Sequence, residues 1–272
     1  MDSAVTSIAA ASLPMNELVI NLDEKFENLP KAPIVEAVID VRAMPVERPE
    51  EQALRSFVEG EFVDYKFLNS QREFQYRAEF SANTLPNQVT RDLGWKGLQF
   101  RSKDEKYIAQ FNRDGFALGR LQPYESWEKL SREAKRLWSG YARFLKPQQI
   151  DRVGLRYINR IQLPFGEVNF EEYLRVSPST PPELDFPISG FMHQDSVVVP
   201  NNPYAINIIK TIQPPNLITR MGLGLILDID VTTAQFFEND ESRLETHLSK
   251  MRWLKNKIFF GSVKPRSLEM FR

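Results

Sequence analysis

Three arginines stand at four-residue intervals in the segment DRVGLRYINRIQL, whose other residues favour a β-strand. Alternate residues of a strand point to the same face, so Arg152, Arg156 and Arg160 share one face of the predicted strand. A guanidinium group presents a planar fork of donors that matches a carboxylate or a phosphate. The chemistry that this spacing suggests is therefore the binding of an anion.

Carboxylates occupy matching positions of two other predicted strands. Glu36 and Asp40 share a face of PIVEAVIDVRAM, and Asp228 and Asp230 share a face of LGLILDID. Because buried charges are costly unless they are paired, the pattern favours a structural salt-bridge network across the sheet. The alternative is a ligand site, and its candidate binding residues are Arg152, Arg156, Asn159, Arg160, Glu36 and Asp40.

Asp228 and Asp230 are also a weak candidate for a metal site. Two carboxylates spaced i, i+2 on a strand could hold Mg²⁺, and the sequence predicts no other cofactor. The chain contains no cysteine, which excludes disulfides, thiolate zinc sites and a cysteine nucleophile. Its two histidines, His193 and His247, do not form a ligand-spaced pair.

Nucleic acid and membranes are disfavoured as partners. Residues 94–115 mix aromatic and basic side chains, as proteins that bind single strands do, but Asp104 and Glu105 interrupt the patch. Lys and Arg number 35 against 36 Asp and Glu, so the chain has no strong overall field. The sequence shows no signal-peptide pattern and no apolar run long enough to span a bilayer, which predicts a cytoplasmic protein.

The elements that must position these residues occur in one order twice. Each time a strand is followed by a short helix, an antiparallel meander and a long amphipathic helix. The sequence thus predicts an α+β fold built from an internally duplicated unit, with helices packed on antiparallel sheets. We expect a flexible leader over 1–22, a first repeat over 23–147 and a second over 148–272, related by a pseudo-two-fold axis.

The long helices are predicted over 123–145 and 239–260. They carry Trp127, Trp138 and Trp253. A helix that exposed such residues would mark an interface, so a homo-oligomer is a further hypothesis.

Several motifs resemble a known family. KAPIVEAVIDVR (31–42), LQPYESWEKL (121–130), IDRVGLRYINRIQLP (150–164) and LILDID together resemble a sporadically distributed family of uncharacterised prokaryotic proteins of about this length. The shared patterns are API-x-EA, PY-x-x-W and, most specifically, R-x-GLRYINRI. The resemblance extends from about residue 29 to near the end of the chain. It implies no activity or catalytic residue, and its sporadic distribution implies accessory genes on mobile elements.

The sequence favours a non-enzymatic, cytoplasmic binding or regulatory protein with a protein partner. It contains no recognisable catalytic constellation, and the resemblance suggests an accessory of a toxin–antitoxin or antiphage defence system. The alternative is an enzyme or ligand-binding module that holds a nucleotide-like or phosphorylated anion between the two halves.

Overall fold

The computed structural model describes residues 18–79, 87–164, 168–181, 183, 186, 188–214 and 222–272. The chain folds into helices packed on a large antiparallel sheet, which confirms the predicted α+β class. The strands are β1 (Ile34–Arg42), β2 (Tyr65–Glu79), β3 (Asn87–Ser102), β4 (Tyr107–Asn112), β5 (Gly115–Leu121), β6 (Gln149–Ile150), β7 (Arg152–Gln162), β8 (Met192–Val198), β9 (Tyr204–Gln213), β10 (Gly224–Thr233) and β11 (Phe237–Glu238). The helices are α1 (Glu51–Glu61), α2 (Trp127–Leu145), α3 (Glu241–Ser262) and α4 (Pro265–Glu269).

Among the described residues, nine strands form one sheet in the order β2-β3-β4-β5-β1-β7-β10-β9-β8. β1 and β7, the first long strands of the two predicted halves, pair antiparallel at its centre, with Ile39 opposite Leu155. From this pair, β5, β4, β3 and β2 follow on one side and β10, β9 and β8 on the other. The first three strands on each side match the order that two copies of one unit would give, but β2 has no counterpart among the described strands, and the internal duplication stays a prediction.

The two faces of the sheet differ because polar and apolar residues alternate along its central strands. Ile39 of β1, Leu155 of β7 and Leu227 of β10 are buried on the face that α2 and α3 cover. Each such side chain contributes about 1.5–3 kcal/mol through the hydrophobic effect. The opposite face, which carries Asp40 and Arg156, is termed the open face.

Local signals decide where the long helices begin. The Ser126 side chain accepts a hydrogen bond from the Lys129 amide at 3.3 Å, and Asp240 accepts one from the Arg243 amide at 2.9 Å. An N-cap residue itself lies outside the helix, so α2 and α3 each begin a few residues later than the sequence predicts. As expected for an amphipathic helix, the buried apolar positions of α2 form one stripe: Leu130, Ala134, Leu137, Trp138, Tyr141 and Leu145.

Several aromatic side chains that suggested interaction surfaces lie in the core. Trp138 and Trp253 are 5% and 4% exposed, so they do not mark an interface, and a homo-oligomer stays a prediction. Phe100 and Phe111 are fully buried, with ring centroids 5.8 Å apart. They therefore do not offer a stacking platform to single-stranded nucleic acid.

The beginning of the chain is described from residue 18 onward. Residues 1–17 of the predicted leader lie outside the described residues. Leu18 and Ile20 pack against the core, and the Leu18 carbonyl accepts a hydrogen bond from Asn202 Nδ2 at 3.4 Å. The short helix predicted near residues 169–174 is a single 3₁₀ turn at Phe170–Glu172.

In the described part of the chain, no helix combines the length and apolar character needed to cross a membrane.

Gly115→Ala tests the close approach of β5 to β1. Gly115 has a φ of +151°, and a Cβ there would lie 2.3 Å from the backbone carbonyl oxygen of Val41. We expect the free energy of unfolding, measured by urea denaturation, to fall by roughly 1–3 kcal/mol.

The matched control is Gly60→Ala in α1, where a Cβ would meet nothing within 4 Å. Alanine is the better helix former, so this change should stabilise the protein by about 0.5–1 kcal/mol. Equal effects of the two changes would contradict the close approach at Gly115.

Candidate functional site

The open face holds a cluster of ion pairs at the junction of the two halves. Arg152 Nη2 of β7 donates to both carboxylate oxygens of Asp40 on β1, at 2.8 and 2.9 Å. Gly154 leaves room for this pair, because a Cβ there would lie 2.5 Å from Asp40 Oδ1. The buried Nε of Arg152 has no hydrogen-bond partner among the described residues. The pair thus links the central strands of the two halves.

Arg156 forms the second pair, with Asp228 on β10. Its Nε donates to Oδ1 at 2.9 Å and its Nη2 donates to Oδ2, so the contact is bidentate. The Asp228 side chain is only 10% exposed, whereas the Arg156 side chain is 47% exposed. The hydrogen bonds to Asp228 raise the pKa of the Arg156 guanidinium above its ordinary value. Breaking the pair would therefore cost more at Asp228, whose carboxylate is nearly buried, than at Arg156.

Asp230 stands opposite Arg156 in the strand register but takes no part in the bidentate contact. Burial raises the pKa of Asp230, although the positive charges of Arg152 and Arg156 act against the shift. Within the described ranges, no group of three or more His, Asp or Glu side chains is arranged to hold a metal ion. A Mg²⁺ ion on Asp228 and Asp230 would have to compete with Arg156.

The other predicted ligand-binding residues divide between the two faces. Arg160 Nε donates to Gln213 Oε1 at 2.6 Å, and its Nη2 donates to the Gly222 carbonyl at 2.9 Å. Glu36 shares the open face, and its negative charge adds to the raised pKa of Arg156. Asn159 lies on the helix-covered face, where it is 2% exposed.

The geometry of the open face favours the structural interpretation of the arginine strand. Arg152 and Arg156 already donate to carboxylates of their own chain. An anionic ligand would have to displace Asp40 or Asp228 from these hydrogen bonds. The chemical role of the pairs is to join neighbouring strands across the centre of the sheet.

A second candidate site opens on the helix-covered face, where β1 and β7 meet. It is a cleft of about 1210 Å³ between the segment 22–33, the start of α2 at 126–128 and one face of α3 from 249 to 260. Tyr157 and Asn159 of β7 also line it. This space, termed the junction cleft, therefore lies between the two halves of the chain.

A pair of tyrosines forms the floor of the junction cleft. The hydroxyl oxygens of Tyr124 and Tyr157 are 2.9 Å apart, and their rings meet edge to face. Burial raises the pKa of Tyr124 to about 12 and raises that of Tyr157 well above its ordinary value, so both remain protonated at neutral pH. Arg120, which is 1% exposed, donates a hydrogen bond to the carbonyl of Pro123 at 2.8 Å. Pro123 directly precedes Tyr124, so this contact fixes the backbone next to the floor.

Lys255 of α3 is the unusual group in the junction cleft. Its Nζ lies 4.1 Å from the centroid of the Tyr157 ring. Burial lowers the pKa of Lys255 to about 7, and the positive charge of Arg252 acts in the same direction. The contact with the Tyr157 ring opposes this effect, because a ring face favours the ammonium form. The amine therefore exchanges between its charged and neutral forms near neutral pH.

The acidic side chains of the cleft wall are already paired with bases. The pairs are Glu24 with Lys257, Glu27 with Arg272, Glu125 with Lys129 and Glu128 with Arg252. Lys25, Lys31 and Lys255 of the same wall form no ion pair with the carboxylates that the structure describes. The junction cleft thus presents positive charge that its own acids do not neutralise.

Sequence reasoning missed Lys255, although the helical period contained a signal for it. The buried stripe of α3 includes Leu248, Met251 and Phe259. Lys255 stands four residues from both Met251 and Phe259, where the stripe requires another apolar side chain. A charge at such a position needs either a partner or a function.

Arg156→Ala tests the ion-pair network of the open face. The change leaves the nearly buried Asp228 carboxylate without its partner. We expect the free energy of unfolding to fall by roughly 2–3 kcal/mol in a denaturant titration. Adding Asp228→Asn should restore part of this loss, because a buried amide costs less than an unpaired carboxylate.

Arg42→Ala is the control for loss of a positive charge on the same face. The Arg42 side chain is 59% exposed and contacts Asp40 only at 3.8 Å, so its removal should cost at most about 0.5 kcal/mol. A double variant less stable than Arg156→Ala alone would show that Asp228 does not depend on the pair.

No protein-family model matches the chain, and no curated protein matches it either. The resemblance of its motifs to a prokaryotic family stays a prediction. The function is therefore inferred from the chemistry of the two candidate sites.

Proposed function

We propose that this protein is a non-enzymatic binding protein that holds a small anionic ligand in the junction cleft. The observation that carries the proposal is Lys255, an amine without an acidic partner among the described residues, set over an aromatic floor between the two halves. This function retains the binding role expected from the sequence but places the ligand on the face opposite Arg152 and Arg156.

The chemistry of the wall defines the class of ligand. Lys25, Lys31 and Lys255 attract a carboxylate, a sulfonate or a phosphate, because opposite charges bind most strongly where water is partly excluded. Phe26 and Trp127 add half-buried aromatic surface for an apolar or planar body. The nucleotide-like or phosphorylated anion considered from the sequence belongs to this class.

The stability of the fold supports a functional role for Lys255. The unfolded chain keeps the Lys255 proton up to the ordinary pKa of 10.5, whereas the folded chain releases it near 7. Below pH 7 the half-buried Lys255 ammonium therefore destabilises the fold to its full extent, and the cost disappears as the pH rises to 10.5. A residue that lowers stability without forming an ion pair is typical of a binding site. A protein partner and a defence role remain predictions.

Lys255→Met tests the proposal, with the aromatic sulfonate 8-anilinonaphthalene-1-sulfonate as the probe. The variant keeps an unbranched side chain as far as the ε position but removes the amine and its charge. We expect a fluorescence titration to show about tenfold weaker binding, which corresponds to ~1.4 kcal/mol for a charge-assisted contact. The melting temperature should not fall, because the change removes a half-buried amine that has no ion-pair partner among the described residues.

Lys250→Met is the matched control, since Lys250 belongs to the same helix but does not line the junction cleft. It should bind the dye as the unchanged protein does. Equal dye affinity in the Lys255→Met and Lys250→Met variants would overturn the proposal.

The affinity for the dye should also depend on pH. Lys255 carries its positive charge below its pKa of about 7 and loses it above, so dye affinity should fall between about pH 6 and pH 8. The same titrations on Lys255→Met should show a much smaller change. A steep fall in both proteins would assign the pH dependence to other groups.

A further inference from the structure

Two lysines of the described chain differ in exposure and in partners: Lys210 is buried, and Lys255 is half-buried. Lys210 of β9 is 6% exposed, and its Nζ lies 3.5 Å from Asp195 Oδ2. The two side chains form an ion pair. Lys255 has no such partner within the described ranges, and the cation that acts on it, Arg252, repels the ammonium charge.

The groups around Lys255 come from three elements. Arg252 of α3 is paired with Glu128 of α2 at 3.5 Å, so this carboxylate of the cleft wall is already occupied. Tyr157 of β7 and Tyr124 ahead of α2 present hydroxyls that stay protonated at neutral pH. None of these groups supplies a free negative charge that would hold Lys255 as an ammonium ion.

We propose that Lys255 forms a reversible imine with a ligand that carries an aldehyde or ketone together with an anionic group. The inference rests on the proposed function, because it names the reactive group of the ligand in the junction cleft. A desolvated lysine beside another cation is the arrangement that produces a nucleophilic amine. Lys25 and Lys31 bind the anionic end of the ligand.

The reaction is balanced without an oxidant or a reductant. The neutral Lys255 nitrogen attacks the carbonyl carbon, and one nitrogen proton is transferred to the former carbonyl oxygen. The carbinolamine then expels this hydroxyl with the second nitrogen proton as one water molecule, which leaves a carbon–nitrogen double bond. Addition of water reverses the sequence, so the ligand is held covalently but can be released.

The test uses pyridoxal 5′-phosphate as a probe, because it combines an aromatic ring, an aldehyde and a phosphate. The full-length protein is incubated with the probe, the imine is reduced with borohydride, and the modified lysine is identified by peptide mass spectrometry. We expect Lys255 to be modified at least about tenfold faster than Lys210 or any exposed lysine. Pyridoxal, which lacks the phosphate, should modify Lys255 more weakly, because Lys25 and Lys31 then have no anion to bind.

Lys255→Arg separates this inference from the proposed function. Arginine keeps the positive charge but cannot form the imine, so the variant should still bind 8-anilinonaphthalene-1-sulfonate and should show no preferred site of modification. Modification spread evenly over the exposed lysines of the unchanged protein would overturn the imine, while dye binding that depends on Lys255 would leave the proposed function standing. If Lys255 is not the preferred site of modification and dye binding does not depend on it, both the imine and the proposed function are overturned.

Discussion

The antiparallel pairing of β1 with β7 is the interaction on which the rest of the structure depends. It joins strands that are more than a hundred residues apart in the chain and makes one sheet of the two halves. Its register places Asp40 opposite Gly154, which brings the Asp40 carboxylate to Arg152. On the other face, the same pairing places Tyr157 beneath α3, where it becomes the floor of the junction cleft.

Charged side chains on the two faces of the sheet are accommodated in different ways. On the open face, Arg152 and Arg156 each meet a carboxylate, and these pairs reduce the cost of partial burial. On the helix-covered face, Lys255 is half-buried without such a partner among the described residues. The first arrangement serves the architecture, and the second leaves an amine whose charge and reactivity are available to a ligand.

The packing of helix α3 keeps Lys255 in the junction cleft. Leu248, Met251 and Phe259 bury its apolar stripe against the sheet, and this packing holds Lys255 over the cleft floor even though the ammonium alone would favour water. Asp240 caps the first turn of α3, so a local hydrogen bond fixes where the helix begins. A binding site built on a rigid helix and a central strand is better positioned than one built on loops.

The sequence by itself determined the α+β class, the helix stripes and which side chains of each central strand share a face, because periods of 2 and 3.6 residues are local properties. It also placed Arg152 and Asp40 on the faces where they occur. Only the tertiary structure decided that Arg156 pairs diagonally with Asp228 and not with Asp230, since register depends on contacts between distant strands. The junction cleft could not be predicted from the sequence either. Its floor and walls come from segments that approach one another only after the two halves have packed together.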